Sequence, residues 1–582
     1  MKQFFKFVLA TITGLFLFIL LGIFILAGMA ASAGSEKKAK VEANSVLKMN
    51  LNYAIPEKTN DNPFAGLSLG NLKPNKAIGL TEIREVIKQA KTDDNIKGIY
   101  LELGINENGL ATLESIRQAL LDFRKSGKFV YAYGEVLSQK SYYLATAADK
   151  IFLNPNGGME LKGFGREIMY YKGLFDKLGI EVQDFHCGAF KSAIEPYVRT
   201  NMSEPNREQL RNIYGDVYAF FLSNIAKERK LDTAVLNRII NNLEVESPAR
   251  DKELKLVDEI YYYDQVVDQL KSKLGTDKKK EVKMIELAKY ATTVEKKTDG
   301  TGKIAVVYAE GEIVDGEGED GKIGGQKFAE TISKLRQDEK IKAIVLRVNS
   351  PGGSALASDV MWRELVLAKK EKPLVVSFGD VAASGGYYIA CVGDRIFAQP
   401  NTITGSIGVF GLIPNAKKML NDKLGITFDE VKVTKHGVLG GITKPMDAEE
   451  AAFTQRSVER IYAEFKSRVA EGRKKDTAYI ETIAQGRVWT GTQGIKIGLV
   501  DEIGGLDEAI AYAAKAANLK DYYTKAYPEE KSFGEKIAES FSDAKTNMIK
   551  EELGEQYEVY KTVQYLKKNR GVQARMVYDL GL

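Results

Sequence analysis

Short runs of Val, Ile and Leu alternate with polar, helix-compatible segments along most of the chain. In the second half, residues 304–308 (IAVVY), 343–348 (AIVLRV) and 374–378 (LVVSF) are such runs, and each is separated from the next by a segment with helical spacing. Continuous apolar runs between helices are typical of parallel strands that are covered on both faces. The pattern therefore predicts an α/β fold.

The same pattern occurs twice, which indicates a tandem duplication. Residues 95–103 (NIKGIYLEL) resemble residues 340–348 (KIKAIVLRV) at an offset of 245. Further matches at this offset or the next pair residues 133–136 with 378–381, 149–152 with 394–397, and 177–180 with 423–426. We expect a first repeat at residues 44–285, a second at 300–525, and a charged C-terminal extension at 526–582 whose role the sequence does not explain.

The N-terminus carries a separate signal. Residues 7–31 form an uncharged stretch of 25 residues rich in Leu, Ile and Phe, and Lys2 and Lys6 precede it. About 20 apolar residues span a bilayer, whereas the apolar core of a cleaved signal peptide has about 7–15. We therefore predict a signal anchor at residues 1–33, a single-pass protein of the cytoplasmic (inner) membrane, and a body on its periplasmic side. The sequence ASA at 31–33 leaves cleavage open as an alternative.

Composition excludes several classes of protein. The net charge is +5, from 83 basic and 78 acidic residues among 582, which gives no reason to expect binding to nucleic acid. Two cysteines, Cys187 and Cys391, and two histidines, His186 and His436, are too few for a disulfide framework or a structural zinc site. One disulfide between Cys187 and Cys391 remains an alternative, but packed free thiols are favoured. We expect no metal or nucleotide cofactor.

The two repeats differ at positions that suit catalysis. The second repeat reads AASGGYY at 382–388, which places Ser384 among small residues at a strand–turn–helix junction. Glycine permits a strained turn there, and free N–H groups at a helix start can stabilise a developing oxyanion. The second repeat also has a Pro-Gly-Gly turn at 351–353, directly after a strand. The first repeat lacks this turn and has Gln139 opposite Ser384, so we expect a nucleophile in the second repeat only.

A serine nucleophile needs a base. His186 and His436 occupy similar places in the two repeats, which favours a structural role for both. Lys191 lies in a small, largely apolar segment of the first repeat, and the second repeat has no lysine at the matching place. Burial would lower the pKa of such an amine toward neutrality and make it a usable base. Without other evidence, a single lysine such as Lys191 is more often a surface residue. The second repeat, which carries Ser384, has no lysine at the matching position, and this difference favours Lys191 as the base.

At these residues the chain resembles the signal peptide peptidase A family, also called protease IV, in its long, duplicated form. The resemblance rests on the N-terminal anchor and on NSPGG at 349–353, AASGGY at 382–387, TGSIG at 404–408 and GAFKS at 188–192. It implies tandem Clp protease/crotonase-like repeats of β-β-α units behind an N-terminal transmembrane helix.

The resemblance also implies a mechanism, in which Ser384 attacks the scissile carbonyl and Lys191 takes its proton. Backbone N–H groups of Gly385 and of a glycine in the Pro-Gly-Gly turn, with Gly353 favoured, would form the oxyanion hole, and Ser406 would orient the lysine or be a plain turn residue. The implied protein is a membrane-anchored homotetrameric serine endopeptidase, without cofactors, that degrades cleaved signal peptides and other hydrophobic peptides. A non-enzymatic anchored scaffold that binds peptides and a crotonase-like enzyme acting on acyl-CoA remain as alternatives.

Overall fold

The structure is a computed structural model of the chain. It describes residues 2–34, 38–59, 77–295, 297–318, 321–529, 557, 572–576 and 580–582.

The helices and strands of the described residues follow in chain order. The α-helices are α1 (Lys2–Gly34), α2 (Leu80–Thr92), α3 (Leu110–Arg124), α4 (Gln139–Ala145), α5 (Lys172–Leu178), α6 (Glu195–Val198), α7 (Glu204–Arg229), α8 (Thr233–Asn241), α9 (Pro248–Glu253), α10 (Tyr263–Leu274), α11 (Leu287–Ala291), α12 (Gly325–Gln337), α13 (Ala355–Glu371), α14 (Gly385–Ala390), α15 (Lys417–Leu424), α16 (Ala448–Arg473), α17 (Thr477–Ile483), α18 (Gly491–Lys496) and α19 (Leu506–Ala516). The β-strands are β1 (Ser45–Asn50), β2 (Ile96–Leu103), β3 (Phe129–Leu137), β4 (Lys150–Met159), β5 (Glu181–His186), β6 (Glu259–Ile260), β7 (Met284–Glu286), β8 (Gly302–Glu310), β9 (Glu312–Val314), β10 (Lys322–Gly324), β11 (Ile341–Ser350), β12 (Gly352–Ser354), β13 (Leu374–Ala383), β14 (Arg395–Ala398), β15 (Ile403–Gly405), β16 (Phe410–Asn415), β17 (Val488–Thr490), β18 (Glu502–Ile503), β19 (Tyr522–Tyr527) and β20 (Gln573–Arg575).

The order of these elements repeats with the spacing found in the sequence. Helix α2 begins at Leu80 and α12 at Gly325, and strands β2 and β11 begin at Ile96 and Ile341, so both pairs are 245 residues apart. The long helices α7 and α16 each contain 26 residues. The duplication is thus visible in the element order, while the limits of the repeats stay a prediction.

Each repeat is built around its own largely parallel sheet. The first sheet has the strand order β6-β4-β3-β2-β1-β7, and all its pairs are parallel. The second has the order β17-β15-β13-β11-β8-β19 with β14 and β18 beside it, and only β15 and β17 run antiparallel. Central strand residues such as Ile99 and Val345 are completely buried, as expected of strands covered on both faces. The mixed α/β class is confirmed.

A third sheet joins distant parts of the chain, in the order β10-β9-β12-β20-β16-β5. Strand β5 of the first repeat runs antiparallel to β16 of the second, with His186 opposite Phe410. Strand β20, near the C-terminus, runs antiparallel to both β12 and β16. This sheet carries the segment after β5, which contains Lys191, into the second repeat.

Buried polar contacts fix the two repeats against each other. Arg347 of the second repeat forms two hydrogen bonds to the carboxylate of Glu57, at 2.9 and 3.1 Å, and both side chains are almost fully buried. The carboxylate of Asp380 accepts from the backbone N–H and the hydroxyl of Thr112 at 2.9 and 2.6 Å. Gly109 allows this approach, because a Cβ there would lie 2.1 Å from the carboxyl carbon of Asp380. Such contacts favour one orientation of the repeats, since a buried charge that loses its partner is costly.

The predicted anchor falls in α1, whose described large apolar side chains include exposed Phe7, Leu9 and Phe18. Within the part of the chain that the structure describes, no helix combines the length and the apolar stretch needed to cross a bilayer.

Candidate active site

Ser384 sits on a sharp turn between β13, which ends at Ala383, and α14, which begins at Gly385. Its backbone has φ 55° and ψ −116°, a conformation that costs a non-glycine residue on the order of 1–3 kcal/mol. The Ser384 N–H donates to the carbonyl of Gly405 at 2.8 Å, which helps to hold the turn. The strained junction fixes the position of the Ser384 hydroxyl at the start of the helix.

Lys191 reaches the second repeat through the segment that follows β5. The backbone N–H of Phe190 donates to the carbonyl of Gln485 in the second repeat at 2.9 Å. Gly486 packs directly against the lysine, because a Cβ there would lie 2.6 Å from the Cβ of Lys191 and the residue has φ 77°. A larger residue at 486 would therefore push the lysine out of its position.

The structure brings Lys191, Ser384 and Ser406 together within one chain. The Lys191 Nζ lies 3.0 Å from the Ser384 Oγ, 3.0 Å from the Ser406 Oγ and 3.1 Å from the Ser406 carbonyl oxygen. The relative exposures of the three residues are 3%, 0% and 2%. A neutral amine has two hydrogens for the two Ser406 oxygens and a lone pair for the Ser384 hydroxyl. The contacts therefore suit an amine that accepts the Ser384 proton.

Burial lowers the pKa of Lys191 from its ordinary value of 10.5 to about 7. Loss of hydration is the cause, since it disfavours the charged ammonium. The lysine is therefore partly neutral near physiological pH.

Three glycines converge beside Ser384. Gly352 has φ 92°, and a Cβ on it would lie 2.5 Å from the backbone nitrogen of Gly385. Gly353 lies next to it in β12, and a Cβ there would lie 1.9 Å from the carbonyl oxygen of Ile313. The absence of side chains lets the Pro-Gly-Gly turn approach the start of α14, where Gly352 contacts Gly385 and Gly353 follows it in the chain.

The C-terminal residues 572–576 lie in this site as an added strand. Ala574 pairs with Gly353 in the antiparallel β12–β20 ladder, and the Met576 N–H donates to the Pro351 carbonyl at 2.8 Å. Hydrogen-bonded pairs alternate along an antiparallel ladder, so the Gly353–Ala574 pair, two residues further on, is also a hydrogen-bonded position. A Cβ on Gly385 would lie 3.0 Å from the Ala574 carbonyl oxygen. The Ala574 carbonyl thus lies beside both glycines, a contact that no pattern in the sequence indicates.

Two neighbouring cavities surround the tail. The smaller lies along Lys191, and its walls include apolar Phe190, Ile213 and Val488 together with Met576 and Leu580 of the tail. The larger has a volume of about 840 Å³, lies between the repeats, and shares Met576 and Leu580 with the smaller. Met576 and Leu580 of the tail therefore lie between the inter-repeat cavity and the small cavity beside the lysine.

The matching site of the first repeat has a structural glutamine in place of the serine. The Gln139 side-chain amide donates to the carbonyl of Gly163 at 3.0 Å. Gly163 corresponds to Gly408 at the offset of 245, and the Gly408 carbonyl oxygen lies 3.5 Å from the Ser384 Oγ. The first repeat therefore has no hydroxyl nucleophile at this position, and Gln139 lies in α4 without the positive φ that Ser384 has.

The other candidate residues lie outside this arrangement. His186 contacts Asp184, with Nδ1 to Oδ2 at 2.9 Å, and none of its described hydrogen bonds reaches Ser384. His436 lies 3.4 Å from a carboxylate oxygen of Glu449. Cys187 and Cys391 are free thiols.

One group of side chains in the described residues could hold a metal ion, namely His436, Asp447 and Glu450. Asp447, however, caps α16 by accepting from two of its backbone N–H groups. The Lys444 amine also lies 3.9 Å from the Glu450 carboxylate. A helix cap and an ion pair thus engage Asp447 and Glu450, while the His436 Nδ1 and one carboxylate oxygen of Glu450 have no hydrogen-bond partner among the described residues.

Comparisons with known proteins agree with a serine-type peptidase. The profile of Peptidase family S49 matches residues 122–277 and again 367–520. "Protease 4" of Salmonella typhi is 36% identical over 553 residues, which cover 92% of this chain and 88% of the relative. "Serine protease SPPA, chloroplastic" of Arabidopsis thaliana is 34% identical over 82% of this chain and 70% of the relative. A solved structure, a ClpP1 mutant from Listeria monocytogenes, matches 35% of this chain and 94% of that chain at TM-score 0.24 and 14% identity.

The protein is therefore a serine-type peptidase, with a mixed α/β fold that carries the family match twice. More narrowly, the chain belongs to Peptidase family S49. The Clp protease/crotonase-like description of its repeats stays a prediction.

Proposed function

We propose that the chain cleaves peptides with a Ser–Lys dyad. Neutral Lys191 takes the proton of Ser384 as the Ser384 Oγ attacks the scissile carbonyl. The peptide C–N bond then breaks, Lys191 gives its proton to the leaving amine, and water hydrolyses the acyl-enzyme with the lysine again acting as the base. The backbone N–H groups of Gly353 and Gly385 hold the oxyanion, and Ser406 orients the lysine.

One observation carries this proposal: a fully buried amine lies 3.0 Å from the hydroxyl of a serine on a strained turn. Burial supplies what catalysis needs, because it brings the pKa of Lys191 to about 7. A surface lysine would be almost entirely charged at neutral pH and could not accept a proton.

Hydrophobic peptides in extended conformation, signal peptides among them, are the proposed substrates. An extended peptide can add a strand to an exposed sheet edge, with main-chain hydrogen bonds giving affinity and side-chain pockets giving selectivity. The chain's own residues 572–576 lie against β12 in this way, with Met576 in the wall of the small cavity beside Lys191. This arrangement supports a substrate strand at the same place, with a small residue at the position of Ala574.

We further propose that α1 attaches the protein to the cytoplasmic membrane as a single-pass anchor and that the chain works as a homotetramer. The exposed apolar side chains of α1 support attachment. The test compares carbonate extraction of membranes that carry the full chain with membranes from cells producing a chain that starts at residue 38. If both chains stay with the membrane, or if both are extracted from it, α1 is not the membrane anchor.

A serine-reactive fluorophosphonate probe tests the dyad. We expect labelling of the unchanged protein and loss of labelling in both Ser384→Ala and Lys191→Met. The matched control is Gln139→Ser in the Ser384→Ala background, which introduces a serine at the corresponding position of the first repeat, where the neighbouring Lys140 and Lys162 are not buried. That control should remain unlabelled. Labelling that persists in Lys191→Met would overturn the dyad, and an anchored scaffold would not be labelled at all.

A further inference from the structure

The first turn of α16 and the loop before it bring a histidine close to two carboxylates. Asp447 caps the helix and Glu450 lies in its first turn, while His436 belongs to the loop. One ligand atom from each of the three lies within 4.8 Å of the other two. An imidazole nitrogen and carboxylate oxygens are ligands that Zn²⁺ takes in proteins. Whether such a cluster can bind a metal ion depends on the other contacts of these atoms.

Glu450 is buried, with a relative exposure of 4%, and its two carboxylate oxygens differ in their contacts. The Oε2 atom accepts from the backbone N–H groups of Asp447 at 3.0 Å and of Gly440 at 3.3 Å. The Oε1 atom is also buried and has no hydrogen-bond partner among the described residues. The same holds for the Nδ1 atom of His436, which lies 3.7 Å away. Because buried polar atoms without partners are costly, a ligand that binds both atoms would stabilise the fold.

The separation of these two atoms suits a shared metal ion better than a hydrogen bond. At 3.7 Å, it exceeds the usual hydrogen-bond length of about 2.7–3.2 Å. Two atoms that each lie about 2.0–2.1 Å from a tetrahedral Zn²⁺ ion are about 3.3–3.4 Å apart, so a small shift of the side chains would admit the ion. Asp447 can supply a third ligand with its Oδ2 atom, because the two N–H groups that it caps both donate to its Oδ1 atom.

The first repeat has the same helix start, but its side chains there have protein partners. Helices α7 and α16 both contain 26 residues and begin at Glu204 and Ala448, so Asn206 corresponds to Glu450. The side-chain amide of Asn206 donates to the buried carboxylate of Glu195 at 2.8 Å. The second repeat places a carboxylate at this position, and no donor in the described part of the chain reaches its Oε1 atom. The difference indicates that a cation from solution takes the place of the missing donor.

Lys444 is a nearby cation that could compete with a metal ion. Its Nζ atom lies 3.9 Å from the Glu450 Oε1 atom, too far for a hydrogen bond, and donates to the Val438 carbonyl at 3.2 Å. The ammonium group therefore offsets part of the negative charge of Glu450 without supplying the missing contact. Because like charges repel, Lys444 should lower the affinity of the site for a cation, and its removal should raise that affinity.

We propose that the Nδ1 atom of His436 and the carboxylates of Asp447 and Glu450 bind one Zn²⁺ ion or a similar first-row divalent cation, with water as the remaining ligand. The ion fastens the loop to the start of α16. Met446, directly before Asp447, donates its N–H to the Gln183 side chain of β5 at 2.9 Å, so the ion also stabilises the contact between the repeats.

This site differs from the zinc sites that the composition excludes. The small number of cysteines and histidines excludes a structural site with four such ligands, whereas here carboxylates take two of the positions. The site lies outside the dyad and does not depend on the proposed chemistry.

Zinc binding to the full-length protein, purified in detergent and stripped with a chelator, tests the site by isothermal titration calorimetry. We expect one Zn²⁺ ion per chain, and binding that is at least about tenfold weaker in His436→Ala and in Glu450→Gln. Asp447→Asn keeps a helix cap and should also weaken binding, which covers the case in which Glu450→Gln does not fold. The matched control is His186→Ala. This second histidine also contacts a carboxylate, that of Asp184 at 2.9 Å, and its removal should leave the affinity unchanged.

Two further measurements locate the ion. Lys444→Gln should tighten Zn²⁺ binding several-fold, because it removes a positive charge beside a ligand oxygen. Zn²⁺ should raise the thermal midpoint of the unchanged protein and of His186→Ala, but not that of His436→Ala.

Three results would overturn the site. Equal affinity in the unchanged protein, His436→Ala and Asp447→Asn, or loss of binding in His186→Ala, would mean an adventitious ion only. An affinity that falls or stays the same in Lys444→Gln would place the ion elsewhere. Loss of fluorophosphonate labelling in the unchanged protein would overturn the dyad and leave the zinc measurements unaffected.

Discussion

The pH dependence of Ser384 acylation tests the proposed base directly, because only the neutral form of Lys191 can accept the serine proton. Burial lowers the pKa of Lys191 from 10.5 to about 7. Since each pH unit below the pKa reduces the neutral fraction about tenfold, roughly half of the molecules are competent at pH 7 and about a tenth at pH 6. An unperturbed lysine would be neutral in about 1 of 3,000 molecules at pH 7, so burial raises the competent fraction by on the order of 10³-fold.

The assay is the second-order rate constant for fluorophosphonate labelling across the pH range in which the protein stays folded. We expect a single sigmoidal rise with its midpoint at about 7, where the Lys191 amine titrates, and a plateau above it. Lys191→Met should abolish labelling at every pH, while His186→Ala and His436→Ala should leave the midpoint unchanged. A rate that rises without a plateau toward 10.5, or a midpoint that disappears in a histidine variant, would refute the buried-lysine mechanism.

Four further outcomes follow from the same contacts. Ser406→Ala should slow labelling about 10- to 100-fold, because Lys191 loses a hydrogen bond of roughly 1.4–2.8 kcal/mol, and the rate constant for probe labelling measures this change. Removal of residues 572–582 should speed labelling, since Ser384 has a relative exposure of 0% with the tail in place; an unchanged rate would mean that the tail does not limit access. Glu57→Gln should lower the thermal midpoint through a loss of about 3–5 kcal/mol, because it leaves Arg347 buried without its counter-charge, while Glu82→Gln at a partly exposed site serves as the control. Lys191→Met should raise the thermal midpoint of unfolding more at pH 7 than at pH 10. The pKa of Lys191 is about 7 in the folded protein and 10.5 in the unfolded chain, so the unfolded chain binds more protons between these two pH values. The stability of the unchanged protein therefore rises with pH between about 7 and 10.5, and the variant gains most at the lower end of this range.

The α/β class and the duplication are readable from the sequence because both depend on local patterns. The apolar runs that form β8, β11 and β13 are continuous and bounded by helices, so their type follows from periodicity. The near-constant offset survives where corresponding elements keep their lengths, as α2 and α12 do with 13 residues each.

Apart from the family resemblance, Ser384 and Lys191 could be predicted because the two repeats diverged in opposite senses. Ser384 and Lys191 are 193 residues apart, and neither has a local pattern that places it next to the other. Each stands out because the other repeat lacks it: Gln139 replaces the serine, and no lysine replaces Lys191. The 3.0 Å contact itself depends on the antiparallel pairing of β5 with β16, which no local pattern encodes.

The position of the tail strand could not be predicted for a related reason. Residues 572–576 (VQARM) alternate apolar and polar side chains, which is typical of a half-buried strand, but this alternation does not say which strand they pair with. In the structure they pair with β12, and Arg575 forms an ion pair with Glu312. Periodicity thus indicates the conformation of such a segment, whereas the site that it occupies depends on groups far away in the sequence.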